Sequence, residues 1–156
     1  MTQVQPTTNR QRRARLAELR EVIATASLWD HDEGCPVEPD CDVAFDMDNW
    51  FAPSECGTAA CVAGHAVLLP SFKKAGGARL RSGPVKFRYG EREHPEHCAG
   101  PFLGLTRDED YALFFQWDDE AAKETVRDTK VRELDALIAS TPDDDELSAG
   151  EVERAK

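Results

Sequence analysis

The chain has 156 residues, 30 Asp and Glu against 19 Lys and Arg, a net charge of −11 and an apolar content of 40%. A chain of that length can bury roughly 70% of its unfolded surface in one core without staples, and no uncharged apolar run nears the ~18 residues that would cross a membrane. A membrane protein, a secreted disulfide scaffold and a large multidomain enzyme are therefore not expected. Five cysteines behind a polar, Arg-rich start with no hydrophobic segment point to a cytoplasmic, reducing setting in which thiols stay free, bind metal or react.

Residues 1–7 show no periodicity and are expected to be flexible. Thr8 or Asn9 can cap a helix running to about Ser27, because Leu16, Leu19, Ile23 and Ala26 recur at three and four residues and form one stripe. From Asp30 to Asp48 there are eight acidic residues and no Lys or Arg, broken by Gly34, Pro36 and Pro39. That composition predicts a loop. Phe45, Met47, Trp50 and Phe51 can return the chain to the core. The least polar stretch, Cys56 to Leu69, is rich in Gly and Ala and predicts a central, tightly packed helix over 58–69. Between residues 78 and 90, Leu80, Val85, Phe87 and Tyr89 alternate with Arg79, Arg81, Lys86 and Arg88 around Ser82-Gly83-Pro84. This predicts an antiparallel hairpin with one apolar and one cationic face. Pro95 can open a short helix ending near Gly104, and Thr106-Arg107-Asp108-Glu109 fits a capping box. Asp118 or Asp119 can cap the next helix, with a restart at Thr129. The acidic run after Pro142 predicts a disordered tail over 141–156. The expected fold is mainly α: one domain, residues 8–140, of five or six helices with a small antiparallel β-hairpin.

The segment C-G-T-A-A-C-V-A-G-H-A at 56–66 resembles a C-G-T-x-x-C-x-A-G-x-A motif of small uncharacterised bacterial and phage proteins. Phe102-Leu103-Gly104-Leu105-Thr106 and Ala112-Leu113-Phe114 look like that family's F-x-G-L-T and A-x-x-L-F patterns. Phe45-Asp46-Met47 and Trp50 are also similar. The resemblance implies a largely helical intracellular protein of phage or mobile-element origin, and it carries no catalytic residue with it.

Cys61 and His65, and likewise His94 and Cys98, stand four apart, so on helices each pair would share a face. Together they make a permissible tetrahedral zinc set, with Cys35, Cys41, Cys56, His31 and His97 as further possible ligands. Cys56 before a helix start is a candidate nucleophile, since orphan N–H groups there stabilise a thiolate. His65, His94 or His97 would then serve as its base. Residues 73–92 hold seven basic side chains and one acidic, so Arg79, Arg81, Lys86 and Arg88 form a candidate face for phosphate or an acidic partner. The carboxylate runs at 30–48, 108–120 and 143–153 could imitate DNA phosphates, while the same charge disfavours direct binding to duplex DNA. No phosphate-loop, dinucleotide, metalloprotease or serine-hydrolase motif occurs. The reading these features favour is a non-enzymatic, macromolecule-binding or regulatory protein with a host or cellular protein as partner. It uses no cofactor, and the alternative is a zinc-binding protein or cysteine-dependent enzyme.

Overall fold

In the computed structural model, which describes residues 4–38, 43–54, 57–80 and 86–156, the chain opens with helix α1 (Asn9–Thr25). The Thr8 hydroxyl accepts from the Gln11 N–H, and the Gln11 side chain accepts from the Thr8 N–H. That reciprocal box satisfies two of the helix's orphan donors. The predicted stripe of Leu16, Leu19 and Ile23 is fully buried, which stabilises by about 1.5–3 kcal/mol per side chain.

The acidic stretch is not the plain loop that its composition predicts. Strands β1 (Trp29–Asp30) and β2 (Cys35–Pro36) pair antiparallel. The turn between them bends at Gly34, whose φ is +67°, and Asp30 Oδ1 accepts from the Asp32 and Glu33 N–H groups. Next come β3 (Val43–Phe45), β4 (Ala52–Ser54) and β5 (Gly57–Ala60), with β5 in the middle of a three-stranded sheet. It runs parallel to β3, with Val43 opposite Thr58, and antiparallel to β4, with Pro53 opposite Thr58. Pro53 falls in an edge strand, where its missing N–H breaks no ladder.

The predicted helix over 58–69 is therefore a strand followed by the short helix α2 (Val62–Ala66). Small side chains suit either structure. Here two flanking strands are present to take both ladders of β5, and Ala44 and Ala59 are fully buried. Cys61 is the N-cap of α2, its sulfur accepting from the Gly64 N–H. A Cβ at position 64 would lie 1.9 Å from the Trp50 carbonyl oxygen. Glycine at that position lets the turn that carries Asp46 and Trp50 rest directly on α2.

Helix α3 (Pro70–Lys74) leads to β6 (Ala78–Leu80) and β7 (Lys86–Arg88), which form the predicted hairpin. Helix α4 (Pro95–Leu103) has Pro95 in its first turn and ends at Gly104, φ +71°. Helix α5 (Arg107–Phe115) opens on the Thr106–Glu109 capping box. Helix α6 (Lys123–Ala139) packs along α1 and runs unbroken through Thr129. Its fully buried Lys130 donates to the carbonyls of Ala112 and Gln116 and to Glu133, which closes the C-terminal end of α5.

The last segment is a second departure from expectation. Residues 141–156 include helix α7 (Ala149–Arg154) and fold back on the start of the chain. The Asn9 and Arg10 N–H groups donate to the Glu146 and Asp144 carbonyls, and Ser148 N–H donates to Thr7 O. The tail thus supplies acceptors to the exposed N-terminus of α1, and Thr7, expected in a flexible segment, is fully buried. Among the described residues there are seven helices and three small sheets of two, three and two strands. This is a mixed α/β arrangement, and it overturns the expectation of a mainly α domain with five or six helices and one hairpin. The additional sheets come from strands of two to four residues, too short to show a period, and β5 is completed by β3 from fifteen positions away.

Candidate functional site

A groove of about 800 Å³ opens where the 91–93 turn, α4, α5 and α7 meet. Its floor includes Glu96 and His97 of α4 and Asp110, Tyr111 and Phe115 of α5, and its far wall includes Glu153 and Arg154. Helix α5 builds this surface by amphipathicity. Leu113 and Phe114 enter the core, and Tyr111 and Phe115, four apart, stay exposed on the other side.

Those two rings begin a ladder. Tyr111 stacks on Phe115 at 5.8 Å, Phe115 meets the edge of Trp50 at 5.3 Å, Trp50 meets His94 at 5.7 Å, and His94 lies 5.8 Å from His97. Offset and edge-on contacts of this kind contribute about 0.5–1.5 kcal/mol per pair beyond area burial. The ladder joins the Trp50 turn, α4 and α5 into one aromatic rim.

The electrostatics of the floor centre on two carboxylates. Glu96 Oε1 is 3.5 Å from His94 Nδ1 and 3.4 Å from His97 Nε2. Asp110 has no ion pair or side-chain hydrogen bond among the described residues, and it sits so close to α4 that a Cβ on Gly100 would lie 2.0 Å from its Oδ2. Burial, and next the negative charge of Glu96, push the Asp110 carboxyl up to about 6, while His97 and Arg154 act in the opposite direction. Asp110 is therefore a carboxylate short of a cation. Arg154 is engaged elsewhere, donating to Leu105 O and Glu151.

The sequence-predicted residues are placed as follows. Cys61, His65, His94 and Cys98 do not assemble into a ligand set. Among the described residues, one group of three or more His, Cys, Asp or Glu side chains has all its donor atoms within 4.8 Å of one another, and it is His31, Asp46 and Asp48. Cys61 caps α2, and burial raises its thiol to about 12. The His65 ring is fully buried, with Nδ1 2.9 Å from Cys61 O and Nε2 without a hydrogen-bond partner among the described residues. Burial lowers its pKa, which keeps it neutral. His94 is the exposed N-cap of α4, and the Cys98 thiol, raised to about 11 chiefly by burial, donates to Arg92 O. Neither thiol is ionised near neutral pH. Cys56 and Cys41 lie outside the described residues. Cys35 is disulfide-bonded, so the expectation of uniformly free or metal-bound thiols fails there.

Arg79 and Arg88, the two described cations of the basic hairpin, do not share a face. Arg79 pairs across the ladder with Phe87 and lies over the Phe51 ring at 5.1 Å. Arg88 is next to Phe87 along β7, so it points the other way and donates to Glu93. Arg81 and the Lys86 side chain lie outside what is described.

Glu96, Asp110 and Tyr111 were not singled out from sequence. The available signal was the aromatic pair Tyr111 and Phe115 set four apart and off the apolar face of an otherwise legible helix. In comparisons with known proteins, the chain matches no family model, no curated protein and no solved structure. Among the described residues no helix is long and apolar enough to cross a membrane.

Proposed function

We propose that this chain is a non-enzymatic binding protein that takes a basic side chain of a partner protein into the groove between α4, α5 and α7. The observation that carries the reading is the half-buried Asp110 carboxylate, unpaired beside Glu96. A guanidinium or ammonium seated between the two would relieve their mutual repulsion and give Asp110 the partner it lacks. The aromatic rim supports the same reading. Exposed Tyr and Phe beside Trp favour a protein partner, since such rings are enriched at the cores of interfaces and can stack on a cation. The net charge of −11 would speed the encounter with a basic surface. The resemblance to bacterial and phage proteins makes a host protein the natural partner class, and a cytoplasmic location belongs to the same proposal.

The test is fluorescence anisotropy with short labelled peptides rich in Arg and Lys, and with acidic counterparts of equal length, at low and high salt. The expected result is selective, salt-sensitive binding of the basic peptides, weakened at least about tenfold by Asp110→Asn or Glu96→Gln and on acidification below about pH 6. Equal binding of both peptide types, or binding indifferent to Asp110→Asn, would remove the basis of the proposal.

A further inference from the structure

Three side chains brought together from separate segments form a second polar centre. His31 lies in the turn after β1, and Asp46 and Asp48 follow β3. His31 Nε2 is 3.1 Å from Asp46 Oδ2 and 3.7 Å from Asp48 Oδ2, and all three donor atoms lie within 4.8 Å of one another. Donors sharing one ion at metal–ligand distances of about 2.0–2.2 Å stand roughly 3.0–3.5 Å apart at right-angle or tetrahedral positions. The 3.1 Å separation falls inside that range, and the 3.7 Å one lies slightly beyond it.

A plain His–Asp ion pair would give the same contacts, and the titration below separates the two readings. The Asp46 carboxylate is also held from behind. It is 3% exposed, its Oδ1 accepts from the Asp48 N–H at 3.1 Å, and its Oδ2 accepts from Asn49 Nδ2 at 2.7 Å. Outer bonds of that type fix the orientation of a ligating carboxylate. His31 and Asp48 are both about half exposed, which leaves the remaining coordination positions open to solvent. A cavity of about 100 Å³ beside Asp46 and Asp48 is lined across from them by Asp118 and Asp119.

We propose that His31, Asp46 and Asp48 bind one first-row divalent cation, of the Zn²⁺ or Mn²⁺ class, in an open site. One imidazole and two carboxylates suit such ions better than Mg²⁺ or Ca²⁺, which favour oxygen alone. The site shares with the sequence-based set only His31, named there as a further possible ligand, and none of its three residues lines the groove. Its test is titration of the full chain with Zn²⁺ and, separately, Mn²⁺, by calorimetry for both and by electron paramagnetic resonance for bound Mn²⁺. The expected result is one ion per chain for at least one metal, with affinity lowered at least tenfold by His31→Ala and by Asp48→Asn. Both of these positions are exposed enough to change without unfolding the protein, which circular dichroism checks. Absence of saturable binding, or saturable binding that both variants leave unchanged, overturns the assignment.

Discussion

Arg12 is the side chain on which the two ends of the domain converge, and replacing it with methionine tests the packing directly. Its side chain is 4% exposed and makes a two-pronged contact with Glu109, each N–O distance 2.7 Å. Nη1 also donates to Gly104 O at 2.9 Å, and Nε donates to Thr141 Oγ1 at 2.8 Å. One guanidinium therefore ties α1 to the α4–α5 junction and to the end of α6. Four charge-assisted bonds at about 1.5–3 kcal/mol each would overstate the loss, because the desolvation of Arg12 is relieved at the same time. Removing one partner of a buried pair costs about 3–5 kcal/mol, a large share of the roughly 5–15 kcal/mol that holds a domain together. Arg12→Met should lower the midpoint of thermal unfolding by roughly 10–15 °C. The effect should also depend on pH. Burial raises the Glu109 carboxyl, but the bonds from Arg12 and Thr106 outweigh it and hold it below its ordinary 4.5. The stabilisation is accordingly complete above pH 4.5 and fades as acid titrates the folded carboxylate, so the gap between wild type and variant should narrow below that pH. Urea unfolding of Arg12→Met, Glu109→Gln and the double variant supplies the measurement, with a coupling of about 1–3 kcal/mol expected. Strict additivity, or a loss under 1 kcal/mol for Arg12→Met, would refute the reasoning.

Gly64→Ala should destabilise by at least about 2 kcal/mol, since the new methyl would meet the Trp50 carbonyl at 1.9 Å, a backbone atom that cannot rotate away; a urea midpoint equal to wild type would contradict the close packing of that turn. Lys130→Met keeps the volume of a fully buried side chain but strands the Ala112 and Gln116 carbonyls, so chemical unfolding should show a loss of about 2–4 kcal/mol. For Asp110 the sign is opposite to that of Glu109. Its folded carboxyl titrates near 6 against an ordinary 3.8, so the folded state holds a proton the unfolded chain has released, and stability should fall as pH rises through that window. Asp110→Asn should flatten the fall, and an unchanged pH profile of the unfolding midpoint would show the carboxyl to be unperturbed.

What was legible from sequence was what local chemistry decides. Thr8 as a cap and the Thr106–Glu109 box each act within a few residues, Pro95 and Gly104 bracket a helix without reference to anything distant, and the antiparallel pair over 78–80 and 86–88 joins neighbouring segments, though the sequence misplaced which of its side chains share a face. Where the reading failed, the deciding contact lay outside the segment itself. Gly57 to Ala60 has side chains too small to impose a period, so its conformation is set by Val43 to Phe45, fifteen positions back, on one side and by the adjoining Ala52 to Ser54 on the other. The acidic tail has the composition of a disordered segment, yet its backbone carbonyls find the unsatisfied N–H groups at the start of α1, an interaction that composition cannot register.

The same distinction bears on the two proposed centres. A metal-ligand search by spacing finds pairs such as Cys61 and His65, four apart on one helix face, but that face is already occupied by core packing, and burial has removed the thiol's readiness to ionise. Ligands useful to an ion need partial exposure and a rigid backing, and in this fold those conditions are met where separate strands end. His31 after β1 and Asp46 after β3 are fifteen positions apart and share no periodic relation. Asp110 likewise sits against α4, within the field of Glu96, because Gly100 leaves room for its carboxylate. In a chain this acidic, a lone carboxylate carries no information; one held against a second, half out of water and without a cation, does. The groove and the His31 centre flank the turn that carries Asp46 and Trp50, so Gly64→Ala, by displacing that turn, should weaken ring-ladder packing and metal binding together, whereas Asp110→Asn should alter the groove alone.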